Sequence, residues 1–134
     1  MSPRVGRRAV SCAHLLGTPW EQADCAAIAR AALELCGLDV PAYGFARFGA
    51  GDAAALRTYL DATSELWVRV GSTADEAREL GDIIVSRLPD GGQHLSVVVD
   101  AAARRAITTT ADTGAVIVES GSIRAVEQVI RWAT

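Results

Sequence analysis

Five β-rich segments fill the second half of this 134-residue chain, and they constrain its fold more than any other feature. Turn-forming residues separate them, including Pro-Asp-Gly-Gly at 89–92 and Asp-Thr-Gly at 112–114. Short segments of this kind, joined by short turns, predict an antiparallel meander. The predicted strands cover 83–87, 95–99, 105–110, 115–119 and 126–132.

The first half contains one strong helix pattern. From Asp24 or Cys25 onward, apolar residues recur at the i, i+3, i+4, i+7 spacing of a buried stripe, and Gly37 supplies a C-terminal stop. Weaker patterns predict a short helix over 9–16, a second helix from Asp52 and a short strand around Trp67. Helices followed by a strand meander predict an α+β fold, with an antiparallel sheet packed on the Cys25 helix. The stripe consists of Cys25, Ile28, Ala29, Ala32, Leu33 and Cys36.

Length and composition narrow the class of protein. A chain of 134 residues predicts one domain over 1–134 with a core that needs no disulfide or metal. A net charge of -3 gives no reason to expect a nucleic-acid partner, and no segment reaches the length of a membrane span. Three irregularly spaced cysteines indicate reduced thiols. We expect synthesis in the cytoplasm without a signal peptide, and no membrane partner.

Cys25 is the candidate nucleophile because of its place at the start of the helix. A Gly17-Thr18-Pro19 turn and the acidic N-cap Asp24 precede it. The partial positive charge at a helix N-terminus lowers a thiol pKa and favours the thiolate. The alternative is a buried small apolar residue on the helix stripe.

His94 is the candidate base, because it opens the predicted strand that follows the 89–92 turn. A helix-start cysteine and a strand-start histidine are the components of a thiol hydrolase. The alternative is an exposed histidine after a Gly-Gly turn. The spacing of Cys12, His14, Cys25 and Cys36 fits no zinc pattern, so we expect no metal and no cofactor.

The order of these motifs resembles the NlpC family of papain-like cell-wall cysteine peptidases, above all the compact members of phage tails. The resemblance covers about Leu15 to Trp132. Its matching motifs are Pro19-Trp20, Asp24-Cys25, the Gly81-Asp82 turn, His94 and a closing strand. In the sequence they read "LGTPWEQADCAAIARAALELCGL", "GDIIVSRLPDGGQHLSVVVD" and "VIRW".

The resemblance implies a papain-like fold and hydrolysis of amide bonds in peptidoglycan stem peptides. It implies that His94 takes the Cys25 proton and that the thiolate attacks the carbonyl to form a thioester. It also implies that Trp20 and Asp24 contact substrate, and that the protein is associated with a virion or a phage-like tail and its proteins.

The third catalytic position departs from the family pattern. The family usually has His, Asn or Gln there, whereas this strand reads Ala-Ile-Thr-Thr-Thr over 106–110. Strand alternation places Thr108 on the face of His94, or Thr109 if the turn has two residues. A threonine hydroxyl accepts an imidazole N–H but carries no charge, so we expect a slow enzyme. The competing hypothesis is an inactive structural component of a tail-like particle.

Overall fold

In the computed structural model, the chain is described at residues 9–23, 25–38, 58, 60–87, 93–110 and 112–132. These residues form a six-stranded antiparallel sheet with the strand order β1-β6-β2-β3-β4-β5. The strands are β1 (Trp67–Gly71), β2 (Ile83–Arg87), β3 (Gln93–Asp100), β4 (Arg105–Thr110), β5 (Gly114–Glu119) and β6 (Val126–Trp132).

All six strands lie where the sequence predicts strands, because the pattern of β-branched residues between turns is a local signal. The predicted α+β, papain-like fold is nevertheless wrong. The described residues are mostly sheet, with one α-helix of defined bounds and four short 3₁₀ turns instead of a layer of N-terminal helices.

The N-terminal segment over 9–16 contributes to this difference. The predicted helix over 9–16 shortens to a 3₁₀ turn, Ala13–Leu15, since Leu16 is extended and Gly17 has a positive φ of 80°. Ala9 instead forms a β-bridge with Asp100. The helix predicted from Asp52 lies largely outside the described residues, although residues 58 and 60–62 have helical backbone.

The predicted central helix is confirmed as α1 (Cys25–Leu35). Every member of its apolar stripe is buried, with exposed fractions of 2 % or less. Gly37, at a φ of 82°, ends the helix: its N–H donates to the Glu34 carbonyl, and the Leu38 N–H donates to the Leu33 carbonyl. This pair of bonds is the Schellman motif that glycine permits.

Different segments cover the two faces of the sheet. The α1 stripe from Ile28 to Cys36 belongs to the main core together with Val97 and Ile107, which are paired across β3 and β4. Val98 belongs to a smaller cluster with Ile84, Val129 and Ala77, which includes no α1 residue. Because side chains alternate along a strand, the odd-numbered residues of β3 before its bulge face α1 and the even-numbered ones face away from it.

Candidate functional site

His94 is the second residue of β3 and lies opposite Ser86 of β2. Strand alternation places its side chain on the face shared with Ser96 and Val98, away from the stripe of α1. Only 6 % of His94 is exposed, so the alternative of a solvent-exposed histidine is wrong.

The structure brings His94 and Thr108 together. Val97 pairs with Ile107, which puts Thr108 beside Ser96 on the face of His94. Nε2 of His94 shares a hydrogen bond with Oγ1 of Thr108. The other sequence candidate, Thr109, points to the opposite face, and its buried hydroxyl has no hydrogen-bond partner among the described residues.

Ser96 extends this contact and was missed from the sequence. Its hydroxyl donates to Oγ1 of Thr108 at 3.1 Å, and its exposed fraction is 1 %. The signal that could have found it is the period of two along β3, which places residue 96 two positions after His94 on the same face. Three polar side chains thus form a buried row on the sheet.

The other ring nitrogen of His94, Nδ1, is buried and has no hydrogen-bond partner in the described part of the chain. Burial lowers the pKa of His94 below its ordinary value, because desolvation disfavours the charged ring. The ring is therefore neutral near pH 7. A neutral, buried imidazole with one uncommitted nitrogen is suited to exchange a proton with a bound group.

The lowered pKa predicts a pH-dependent stability. The unfolded chain, with an ordinary histidine pKa of about 6.5, binds a proton before the folded protein does as the pH falls. The free energy of unfolding should therefore decrease from about pH 6.5 down to the folded-state pKa of His94. Urea unfolding across this range should show a positive slope of stability against pH.

The matched variants are His94→Gln and His14→Gln, since His14 is exposed. The first should lose the part of the slope that His94 causes, and the second should keep the wild-type slope. A His94→Gln protein with the wild-type slope would contradict a neutral, buried ring.

Cys25 is the first residue of α1 and is 2 % exposed. It is buried, yet it belongs to neither of the two apolar clusters formed by the described residues. Cys12, Cys25 and Cys36 are all reduced thiols.

The segment before α1 is anchored near the end of the sheet where β3 begins. The Gly17 N–H donates to the Ala115 carbonyl at 2.8 Å, and the Ala115 N–H donates to the Thr18 carbonyl at 3.0 Å. Gly114 must lack a side chain, because a Cβ there would lie 2.6 Å from the Thr18 carbonyl oxygen. Ala115 pairs with Thr109, so this anchor adjoins the end of β4 that carries Thr108.

Cys25 and His94 are not hydrogen-bonded to each other. Nε2 is occupied by Thr108, and Nδ1 has no partner among the described residues. α1 packs on the face of the sheet opposite to the one that carries His94. The structure thus unites His94 with Thr108 but leaves the thiol outside the pair.

The structure describes only one of the two predicted substrate-contacting residues. Trp20 is half-buried in a turn where the N–H groups of Gln22 and Ala23 both donate to the Pro19 carbonyl at 3.0 Å. Asp24 lies outside the described residues.

Asp82 has a structural role that connects distant elements. Its carboxylate is fully buried and accepts two bonds of 2.8 Å from the Arg131 guanidinium of β6. Oδ2 also accepts the Glu79 N–H at 3.0 Å, so Asp82 stabilises the turn before β2. The carboxylate raises the pKa of Arg131 through its hydrogen bond.

Comparisons with known proteins identify no relative. No family model, no curated protein and no solved structure matches this chain. Within the described residues, no cluster of three or more His, Cys, Asp or Glu side chains is arranged to hold a metal ion. None of the helices described there is long and apolar enough to cross a membrane.

Proposed function

We propose that this protein is a cysteine hydrolase of amide bonds, with Cys25 as the nucleophile, His94 as the base and Thr108 as the residue that orients the ring. The observation that carries the proposal is the state of His94. One ring nitrogen is bonded to Thr108, and the other is buried and has no partner among the described residues.

The chemistry follows from these groups. With the ring proton on Nε2, Thr108 accepts it and Nδ1 takes the proton of the Cys25 thiol. The thiolate attacks the amide carbonyl, and His94 returns the proton to the leaving amine. Water, deprotonated by His94, then cleaves the thioester to a carboxylate and the thiol. Backbone N–H groups at the N-terminus of α1 stabilise the oxyanion.

The substrate class rests on the motif order. Pro19-Trp20, Asp24-Cys25, Gly81-Asp82 and His94 follow the order of the NlpC family, which supports peptidoglycan stem peptides as substrate and Trp20 and Asp24 as substrate contacts. The same resemblance supports a place in a phage or phage-like tail. These supports come from the motifs alone, since the expected family fold is not observed.

Turnover should be slow for two physical reasons. Cys25 is 2 % exposed and His94 is 6 % exposed, so a peptide must displace the groups that cover them before it reaches either one. Thr108 offers a neutral hydroxyl, which stabilises the imidazolium less than a carboxylate would.

A second candidate function is a non-catalytic assembly component of a tail-like particle. The observation that favours it is the placement of His94 on the face of the sheet that α1 does not cover. In that case the thiol of Cys25 is a structural thiol, and the polar row of β3 and β4 has no reaction to support.

Thiol alkylation against pH distinguishes the two candidates. An activated Cys25 should react well below the ordinary thiol pKa of about 8.5, and His94→Gln should move its reaction to higher pH. Site-resolved mass spectrometry supplies an internal control in Cys12, because burial raises the pKa of that thiol. The assembly role is correct if Cys25 reacts only at the pH where Cys12 does and if His94→Gln leaves the pH dependence of its alkylation unchanged.

A further inference from the structure

We infer that Ser96 and Thr108 form a directed hydroxyl chain that ends on His94 and holds the ring proton on Nδ1. This inference deepens the proposed function, because it assigns Ser96 as a positioning residue for the same site. It concerns the resting protein, before any substrate binds.

The direction of the chain follows from the contact between the two hydroxyls. Ser96 donates to Oγ1 of Thr108 at 3.1 Å, so the Thr108 oxygen already accepts one hydrogen bond. Thr108 has a single proton of its own to donate, and Nε2 of His94 is its hydrogen-bond partner. Ser96 is 1 % exposed and Thr108 is 9 % exposed, so bulk water does not compete for these bonds.

A count of hydrogen bonds in the two neutral forms of the ring selects one of them. With the proton on Nε2, Thr108 accepts two bonds, which leaves its own O–H and the Nδ1 lone pair without partners in the described residues. With the proton on Nδ1, Thr108 donates to Nε2 and only the Nδ1 N–H lacks a partner. Unpaired buried groups are costly, and the second form has one fewer.

With the proton on Nδ1, the two hydrogen bonds also run in one direction: Ser96 donates to Thr108, and Thr108 donates to His94. A hydroxyl that accepts a hydrogen bond becomes a better donor, so donation from Ser96 strengthens donation from Thr108 to Nε2. The consequence for the proposed reaction is specific. Nδ1 is the nitrogen that must accept the thiol proton, and in the resting protein it already carries one. The ring must change tautomer before it acts as a base.

The test is the tautomer of His94 measured by nuclear magnetic resonance on the full chain with ¹⁵N-labelled histidine. Ring ¹⁵N shifts and two-bond couplings show which nitrogen is protonated, and exposed His14 serves as the internal reference in each spectrum. Spectra at about pH 8 keep the His94 ring neutral, because burial lowers its pKa below the ordinary value. The wild-type protein should show His94 predominantly protonated on Nδ1.

Three variants separate the roles of the two hydroxyls. Thr108→Val removes the donor to Nε2 and should lower the ratio of the Nδ1-protonated to the Nε2-protonated form about fivefold or more. Thr108→Ser keeps the hydroxyl and should keep the wild-type ratio. Ser96→Ala should lower the ratio about two- to fivefold through the loss of cooperativity.

Two results would overturn the inference. A wild-type ring protonated mainly on Nε2 refutes the directed chain, and a Ser96→Ala ratio equal to the wild-type ratio removes Ser96 as a positioning residue.

Activity gives a separate readout. If the protein hydrolyses amides, Ser96→Ala should raise turnover, which loss of a purely structural residue does not do. Absence of turnover in the wild type and in all three variants refutes the proposed function. The tautomer measurement still tests the hydroxyl chain, because it does not depend on turnover.

Discussion

Replacing Cys25 by alanine should lower the release of soluble peptide fragments from purified peptidoglycan by about a thousandfold or more, because the proposed thioester forms on the Cys25 sulfur. Alanine is the closest smaller residue, favours helix and suits the first turn of α1. The Cys25→Ala protein should therefore fold, with a far-ultraviolet circular dichroism spectrum equal to that of the wild type.

Cys12→Ala is the matched control for this experiment. Cys12 is also a buried thiol, 5 % exposed, and it packs in the main core beside the 3₁₀ turn Ala13–Leu15. Its loss should cost stability but leave turnover per folded molecule unchanged. Equal turnover by Cys25→Ala and the wild type would refute the hydrolase proposal, and absence of turnover in both would favour the assembly role.

Asp82→Ala should lower the free energy of unfolding by about 3 kcal/mol. The substitution removes a fully buried carboxylate and leaves the Arg131 guanidinium, whose side chain is 26 % exposed, without its bidentate partner. It also removes the acceptor for the Glu79 N–H at the turn before β2. Urea unfolding at about pH 7 measures the change.

The exposed ion pair between Arg87 and Glu127 provides the comparison. Its charged atoms are 2.7 Å apart, but its side chains are 62 % and 27 % exposed. Arg87→Ala should therefore cost less than about 1 kcal/mol. If Asp82→Ala is as stable as Arg87→Ala, the buried pair of Asp82 and Arg131 contributes no more to the free energy of unfolding than the exposed pair.

The local elements were predictable because their causes are local. The stripe from Cys25 to Cys36 and the stop at Gly37 determine α1, and β-branched segments between turns determine the strands. The contact between His94 and Thr108 was also within reach, since alternation along two paired strands restricts which threonine shares the face of the ring.

The arrangement of these elements was not predictable, because it depends on contacts between residues far apart in the chain. β6, the last strand, lies inside the sheet between β1 and β2, and the pair of Arg131 with Asp82 accompanies that placement. The expectation of several helices over a papain-like sheet failed since the short N-terminal pattern over 9–16 gave only a 3₁₀ turn.

The sequence by itself determined the helix that begins at Cys25, the strands, and the pairing of an imidazole with a hydroxyl of β4, because spacing along the chain sets each of them. Only the tertiary structure decided that Ser96 completes this polar row and that α1 covers the opposite face of the sheet. The physical reason is that a strand has two faces, and which of them a helix buries depends on long-range packing that no local pattern encodes.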